Sequence, residues 1–394
     1  MDDLKVWDMV DIDPSYKLVG TTWVFKIKKN HLNKVVNHKA CLCAQELTQT
    51  FGVYFKKTYS PTGWLNSLRV LIAFAATNCL LFHQIDMKSA FLNAPLSKMV
   101  FLSILQGVNI DRRKICLCLN RAIYGLKQVP LVWYQPLKDW LFKVGFAPCT
   151  LAPCILYWSA PSPIWLYVHV DEITILGKEV ASFKSEISSK LKIKDLGKAE
   201  LLLGIRVAQG EDCITLDTQH FAEALLELYG IGNCCTVSTP LVPNQHLSSA
   251  TDEEKALFVA LGISYRSSVG SINYLSTATW PDLLHAVSSV SQLLEHPGIN
   301  HWKAFLHVLW YLKGSQDFAL TYKAGSGHRI VAYSNTDWEN CTSTRRSITG
   351  YLVWLNNCFV VWNTMKQPTV SLSTSEAEYM SLCNFTSEFL WLRQ

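Results

Sequence analysis

The chain has 394 residues, 49% hydrophobic and 17% charged, a globular balance that excludes a disordered chain and is long enough for two or three domains. Its net charge of +5 permits a nucleic-acid partner without demanding one. The 13 cysteines include close pairs at Cys41/Cys43, Cys116/Cys118 and Cys234/Cys235, none with zinc-knuckle spacing, so they read as free thiols. Met1 is followed by Asp2, Asp3 and Lys5, with no secretory pattern. The most apolar stretch, Leu68 to Phe82, is short and interrupted by Arg69 and Asn78, so it reads as a buried helix followed by a strand and no membrane association is expected.

In chain order, Thr21 to Lys29 (TTWVFKIKK) is β-branched and aromatic and predicts a strand. A polar turn follows, and Val35 to Cys43 predicts the return strand of a basic hairpin. Ser67 to Thr77 has helical periodicity, and Leu80 to Asp86 reads as a strand ending in a carboxylate. Arg121 to Leu141 is broken by Pro130, with a helix expected after it. Ile164 to Leu176 predicts a hairpin whose two apolar runs flank Asp171-Glu172 with no Gly or Pro between them. A helix over Val180 to Leu191, a strand pair over Ala199 to Leu216 and a helix over Thr218 to Tyr229 follow. Ser238 to Thr251 is Pro/Ser/Thr-rich and reads as a linker. Helical segments near Tyr265 to Glu295 and Asn300 to Lys313 precede strand-like runs from Arg329, and a helix from Ser375 closes the chain.

Three carboxylates stand at or beside strands: Asp86, Asp171 and Glu172. Phosphoryl transfer needs metal ions that activate a hydroxyl and neutralise phosphate charge, and a few oxygen ligands suffice for magnesium. Taken alone, acids after apolar runs fit solvated turns as well.

The segment QIDMKSAFLNAPL at Gln84 to Leu96 resembles the first carboxylate motif of copia-type LTR retrotransposon reverse transcriptases. IYGLKQVPLVWYQPL at Ile123 resembles that family's Y-G-L-K-Q-A-P-R-x-W-Y motif, and LYVHVDEITILG at Leu166 its Y-V-D-D hairpin. WVFKIK at Trp23, HKACLCAQELTQ at His38, YSPT at Tyr59, KDLGKAELLLGI at Lys194 and YRSSVGSINYLS at Tyr265 follow the same order. The resemblance implies an α+β fold: a right-hand polymerase of fingers, palm and thumb, then a partial ribonuclease H-like α/β domain. The parts expected are fingers and palm over 1–235, thumb and connection over 236–325, and a truncated ribonuclease H-like domain over 326–394.

The implied activity is RNA-directed DNA polymerisation by two-metal nucleotidyl transfer. Two Mg²⁺ ions, with Mn²⁺ as a substitute, would be held by Asp86, Asp171 and Glu172. Phe91 would abut the sugar of the incoming nucleotide, Gln128 would touch nucleotide or template, and Lys39 would meet the triphosphate. Leu203 to Ile205 resembles the hairpin that grips the primer end. The implied partners are an RNA template, a DNA primer and deoxynucleoside triphosphates. The implied location is the cytoplasm, in a virus-like particle for an intact element, or the nucleus. Oligomeric state is left open.

The chain departs from the family pattern at several motif positions. His169 stands for the tyrosine before the hairpin acids, and Glu172 for the second aspartate. Cys41, Gln45, Glu46 and Leu131 stand where basic residues or glycine are usual, and Ala152 where an aspartate is usual. In the C-terminal region, AYSNTDWENCTSTRRSITGYLVWL and SLSTSEAEYMSL resemble ribonuclease H motifs. There Asn335 replaces the first acid, while Asp337 and Glu378 remain. These changes, and upstream and downstream parts not seen in the chain, read as a fragment or decayed copy without ribonuclease H activity. A catalytically dead fold that only binds nucleic acid is the alternative from another class. An unrelated α/β enzyme would leave Asp86 and Asp171 in different regions.

Overall fold

Strands built from alternating side chains bury one face and offer the other, and that alternation sets where the acids stand. The computed structural model describes residues 5–29, 35–88, 90–94, 96, 98–105, 113–159, 162–243, 247–325, 329–339, 341 and 344–393. The chain opens with β1 (Trp7–Asp11), β2 (Thr21–Lys29), β3 (Val35–Ala44), α1 (Leu65–Thr77), β4 (Phe82–Met87), β5 (Phe101–Leu102) and β6 (Ile115–Leu119). Next come α2 (Val129–Val144), β7 (Ala147–Pro148), β8 (Ile155–Trp158), β9 (Ile164–His169), β10 (Glu172–Gly177), α3 (Val180–Lys190) and β11 (Ile193–Lys198). Then follow β12 (Leu201–Leu202), β13 (Ile205–Gln209), β14 (Cys213–Asp217), α4 (Gln219–Leu228), α5 (Asp252–Val259), α6 (Tyr265–Ala278), α7 (Leu284–Ser291) and α8 (Ile299–Gly314). The chain ends with β15 (Leu320–Lys323), β16 (Ile330–Asp337), β17 (Ile348–Leu355), β18 (Cys358–Lys366) and α9 (Thr374–Arg393). Among the described residues, no helix is long and apolar enough to cross a membrane.

The chain packs as two units, one of Met1–Trp64 with Leu81–Ala199 and one of Leu65–Leu80 with Glu200–Gln394. This division by packing cuts the sequence elsewhere than the three motif-based parts 1–235, 236–325 and 326–394.

The first unit is organised by a six-stranded sheet in the order β11-β4-β10-β9-β8-β7. On one face Ile85, Met87, Ile164, Leu166, Val168, Ile173 and Ile175 share a core with Leu137 and Leu141 of α2 and Phe183 and Ile187 of α3. Strand alternation therefore turns Gln84, Asp86, Tyr167, His169, Glu172 and Thr174 to the other face. The segment Gly63–Trp64 lies on that face: Tyr167 Oη donates to the Trp64 carbonyl at 3.2 Å, and His169 Nδ1 lies 3.3 Å from the Gly63 carbonyl. β2 and β3 form a separate hairpin, and β1, β6 and β5 a small third sheet.

In the second unit β12 to β15 form one sheet and β16 to β18 another. The helical core gathers Leu225, Ile272, Leu283, Val287, Phe305 and Leu309. α1 is anchored there by Arg69, 2% exposed, whose guanidinium donates to the carbonyls of Thr277 and Ala278 and lies 3.6 Å over the Trp362 ring. Cationic donors suit the carbonyls left open at the last turn of α6.

The predicted hairpins and the helices from Ser67, Val180, Thr218, Asn300 and Ser375 are present within a few residues. The single helical segment expected over Tyr265 to Glu295 is instead α6, a short 3₁₀ turn at Pro281–Leu283 and α7. Pro281 supplies no backbone N–H and disfavours helix in the residue before it, so the segment breaks there. The strand pair expected over Ala199 to Leu216 is three strands. Leu203 (φ 53°) and Gly204 (φ 81°) make a two-residue turn between β12 and β13.

Candidate functional site

The site is built on β4 and on the β9–β10 hairpin. Glu172 pairs directly with Asp86 across β10 and β4, so their side chains share a face, and Lys194 of β11 pairs with Asp86 from the other side. The hairpin turn is Val170–Asp171. Val170 sits at φ 59°, a region a β-branched residue adopts only under strain, and such strain concentrates where surrounding structure enforces it. Two hydrogen bonds do the enforcing: Trp133 Nε1 donates to the Val170 carbonyl at 3.1 Å, and Met87 N donates to the Asp171 carbonyl at 2.9 Å. The second bond ties the turn carrying Asp171 to the residue after Asp86.

The two acids act on one group, the Tyr124 hydroxyl. It donates to Asp171 Oδ2 at 3.5 Å. Burial pushes this phenol far above its usual range, and the charges of Asp171, Cys41 and Asp86 push it further. With its proton so held, the Tyr124 hydroxyl serves as a donor to Asp171. Glu172, on the same face as Asp86, accepts from Gln84 Nε2 at its Oε2, 3.3 Å away. Among the described residues, no group of three His, Cys, Asp or Glu side chains is arranged to hold a metal. Asp171 and Asp86 thus both bear on Tyr124, Asp171 through a hydrogen bond and Asp86 through its charge.

Lys39 and Phe91 meet on the same tyrosine. Lys39, on β3 opposite Lys26, sets its Nζ 5.4 Å from the centroid of the Tyr124 ring. Phe91, 7% exposed on a short 3₁₀ turn, lies with its ring 4.6 Å from that of Tyr124. Gln128, at the start of α2, is buried, and its Oε1 accepts from Gln49 Nε2 at 3.1 Å. Sequence reasoning gave Tyr124 and Gln49 no role. Both stand inside quoted motifs, but only the fold shows what they touch. Gly125 carries a further sign. It takes φ 90°, and a Cβ there would run into the Ala44 carbonyl, so the segment after Tyr124 lies directly against the end of β3.

In the second unit, Asp337 ends β16 and Glu378 lies on α9, both exposed. α9 rests on the strand face of Thr336, whose hydroxyl donates to the Ala377 carbonyl at 3.1 Å. Alternation turns Asn335 and Asp337 to the opposite face. Among the described residues, neither Asp337 nor Glu378 belongs to a group of three His, Cys, Asp or Glu side chains arranged to hold a metal.

A family model described as reverse transcriptase (RNA-dependent DNA polymerase) matches residues 4–243. The chain is 32% identical to the retrovirus-related Pol polyprotein from transposon TNT 1-94 of Nicotiana tabacum, over 98% of this chain and 30% of that protein. It is also 32% identical to the corresponding polyprotein from transposon RE2 of Arabidopsis thaliana, over 98% of this chain and 27% of that one. The chain therefore spans less than a third of these relatives' length. Among solved structures it is similar to a foamy viral protease-reverse transcriptase in complex with double-stranded DNA. The TM-score is 0.50 at 12% identity, covering 98% of this chain and 58% of that one, which is a likeness of fold.

Proposed function

Because the chain belongs to the reverse transcriptase (RNA-dependent DNA polymerase) family and is homologous to copia-type Pol polyproteins over nearly its whole length, we propose that it is built for RNA-directed DNA synthesis, with Asp86 and Asp171 as the metal-holding acids. The observation that carries this reading is the Asp171 turn bonded to Met87 N beside Asp86. In this reading the β2–β3 hairpin belongs to the fingers and the six-stranded sheet to the palm. The thumb and connection lie within 236–325, and a ribonuclease H-like part within 326–394.

The donors at the site fit magnesium. They are carboxylate oxygens, and this ion is commonly held by one or two protein carboxylates, with water and substrate phosphate completing its shell. Manganese accepts the same donors. Bound there, two such ions would lower the pKa of a primer 3′-hydroxyl and neutralise charge on the triphosphate.

The chain's own residues do the rest. Asp86 and Asp171 set their charges within reach of the Tyr124 hydroxyl, which orients Asp171. Phe91, fixed against Tyr124, forms a wall that a 2′-hydroxyl would strike, selecting deoxynucleotides. Lys39 offers a point charge to the triphosphate, and Gln128 a polar contact to nucleotide or template. Template and primer bind through their backbones, so binding weakens with salt.

A second reading, a degenerate copy that binds nucleic acid without polymerising, draws support from Glu172, which is hydrogen-bonded to Gln84, and from Cys41, Gln45, Glu46 and His169 at altered motif positions. Primer extension on an RNA template in magnesium separates the two. Extension by the wild-type chain that Asp171→Asn abolishes supports polymerisation. Salt-sensitive duplex binding with no extension supports the remnant. The ribonuclease H-like part, with Asn335 in place of an acid, should not cleave the RNA of a labelled RNA–DNA hybrid, and robust metal-dependent cutting would overturn that part of the reading.

A further inference from the structure

Gln49 ends the turn that follows β3 and is 6% exposed. Its side chain clamps the segment leading into α2. Gln49 Oε1 accepts from the Lys127 backbone N–H at 2.8 Å, and Gln49 Nε2 donates to Gln128 Oε1 at 3.1 Å. The Ala44 N–H, donating to the Tyr124 carbonyl at 2.8 Å, pins the same two segments a few residues earlier.

The polarity of this chain of bonds follows from one fixed group. A backbone N–H can only donate, so the Gln49 oxygen must face Lys127. That leaves the Gln49 NH₂ toward Gln128, and an NH₂ can only donate. Gln128 must therefore turn its own oxygen inward. The group of Gln128 not committed to Gln49 is its Nε2, a donor.

We propose that Gln49 is a positioning residue that sets the polarity of the Gln128 carboxamide, so that Gln128 offers an N–H to an acceptor oxygen, phosphate or sugar, of the incoming nucleotide. This rests on the polymerase reading above and narrows it, taking the nucleotide and not the template as the partner of Gln128. It accounts for a buried amide pair between segments far apart in sequence, where two well-packed apolar residues would otherwise cost less to bury.

Gln49→Glu tests it with little change in volume. Glutamate can still accept from Lys127 N but cannot donate, so Gln128 must turn its NH₂ inward and its carbonyl toward the substrate. The readout is the Kd of the complementary dNTP in a complex of the full chain with RNA template and a dideoxy-terminated DNA primer, which needs no turnover. Gln49→Glu should raise this Kd about tenfold, the effect of one lost hydrogen bond to a charged acceptor. Gln128→Leu should do the same, and the double variant should be no worse than Gln128→Leu alone, because Gln49 acts only through Gln128. Affinity for template–primer should stay within about twofold of wild type, as expected when only the nucleotide contact is lost.

Should Gln49→Glu not fold, Gln49→Leu, which releases Gln128 to either orientation, reads the same coupling in the same cycle. Unchanged dNTP affinity, or effects that multiply in the double variant, would overturn the role of Gln49 alone. A wild-type chain that forms no dNTP-dependent complex would overturn the polymerase reading and this proposal with it.

Discussion

Tyr124→Phe isolates one hydroxyl. The ring that contacts Phe91 and lies under Lys39 is kept, so packing is retained. What goes is the O–H that donates to Asp171 and lies within the field of Asp86. A hydrogen bond to a charged group contributes about 1.5–3 kcal/mol, but 3.5 Å is the long limit of such a bond, so about 1 kcal/mol is the fitting figure. If that energy orients Asp171 toward a metal, its loss weakens metal binding about fivefold. The assay is a magnesium titration of primer extension at saturating dNTP. Half-maximal activity should need about fivefold more magnesium, with maximal rate and dNTP KM little changed, the signature of a lost metal-orienting contact. An unchanged magnesium dependence, or an effect confined to the dNTP KM, would refute the assignment of Tyr124 to the acids.

Two further outcomes concern stability. Arg69→Ala removes a buried cation that bonds two carbonyls at the end of α6 and stacks on Trp362, and it should lower the stability of the second unit by about 3–5 kcal/mol. Hydrogen exchange of α6 amides reads this directly, and a loss below about 1 kcal/mol would show that packing alone anchors α1. His83 is held below its ordinary value of 6.5 by burial and then by the Lys184 ammonium, with Asp195 opposing and Lys198 adding to the depression. The unfolded chain therefore binds the proton first, so stability falls as pH drops below about 6.5 and toward the depressed folded value. Urea midpoints of wild type and His83→Gln at neutral and mildly acid pH should converge on the neutral side and favour the variant on the acid side; parallel curves would exclude His83 as a contributor.

The hairpins were legible because their signals are local. Thr21 to Lys29 and Ile164 to Leu176 are β-branched and aromatic over whole strands, and the acid pair interrupts the second run where the turn falls. Strands such as β5, β7 and β12 are two residues long and exist only through pairing, so no periodicity announces them. α5 lies outside the predicted helices although its capping box, Thr251 with Glu254, is a sequence signature, because the Pro/Ser/Thr-rich run through Thr251 reads as a linker. The membership of α1 in the second unit depends on Arg69 reaching residues more than two hundred positions away, which local patterning cannot carry.

At the site, the motifs gave Asp86, Asp171, Lys39, Phe91 and Gln128 as separate candidates. The role of Tyr124 beside Asp171, Lys39 and Phe91, and the Gln49 clamp on Gln128, follow only from the way β3 lies against residues 124–128. Glu172 shows the opposite limit: its acidic type was visible, but its hydrogen bond to Gln84 arises from strand register.

The most direct measurement is Mn²⁺ binding by electron paramagnetic resonance to the full chain with template–primer and dNTP on a non-extendable primer. Bound Mn²⁺ should be lost in both Asp86→Asn and Asp171→Asn and largely kept in Glu172→Gln. Binding indifferent to the two aspartate substitutions would contradict a metal site at the Asp86–Asp171 junction.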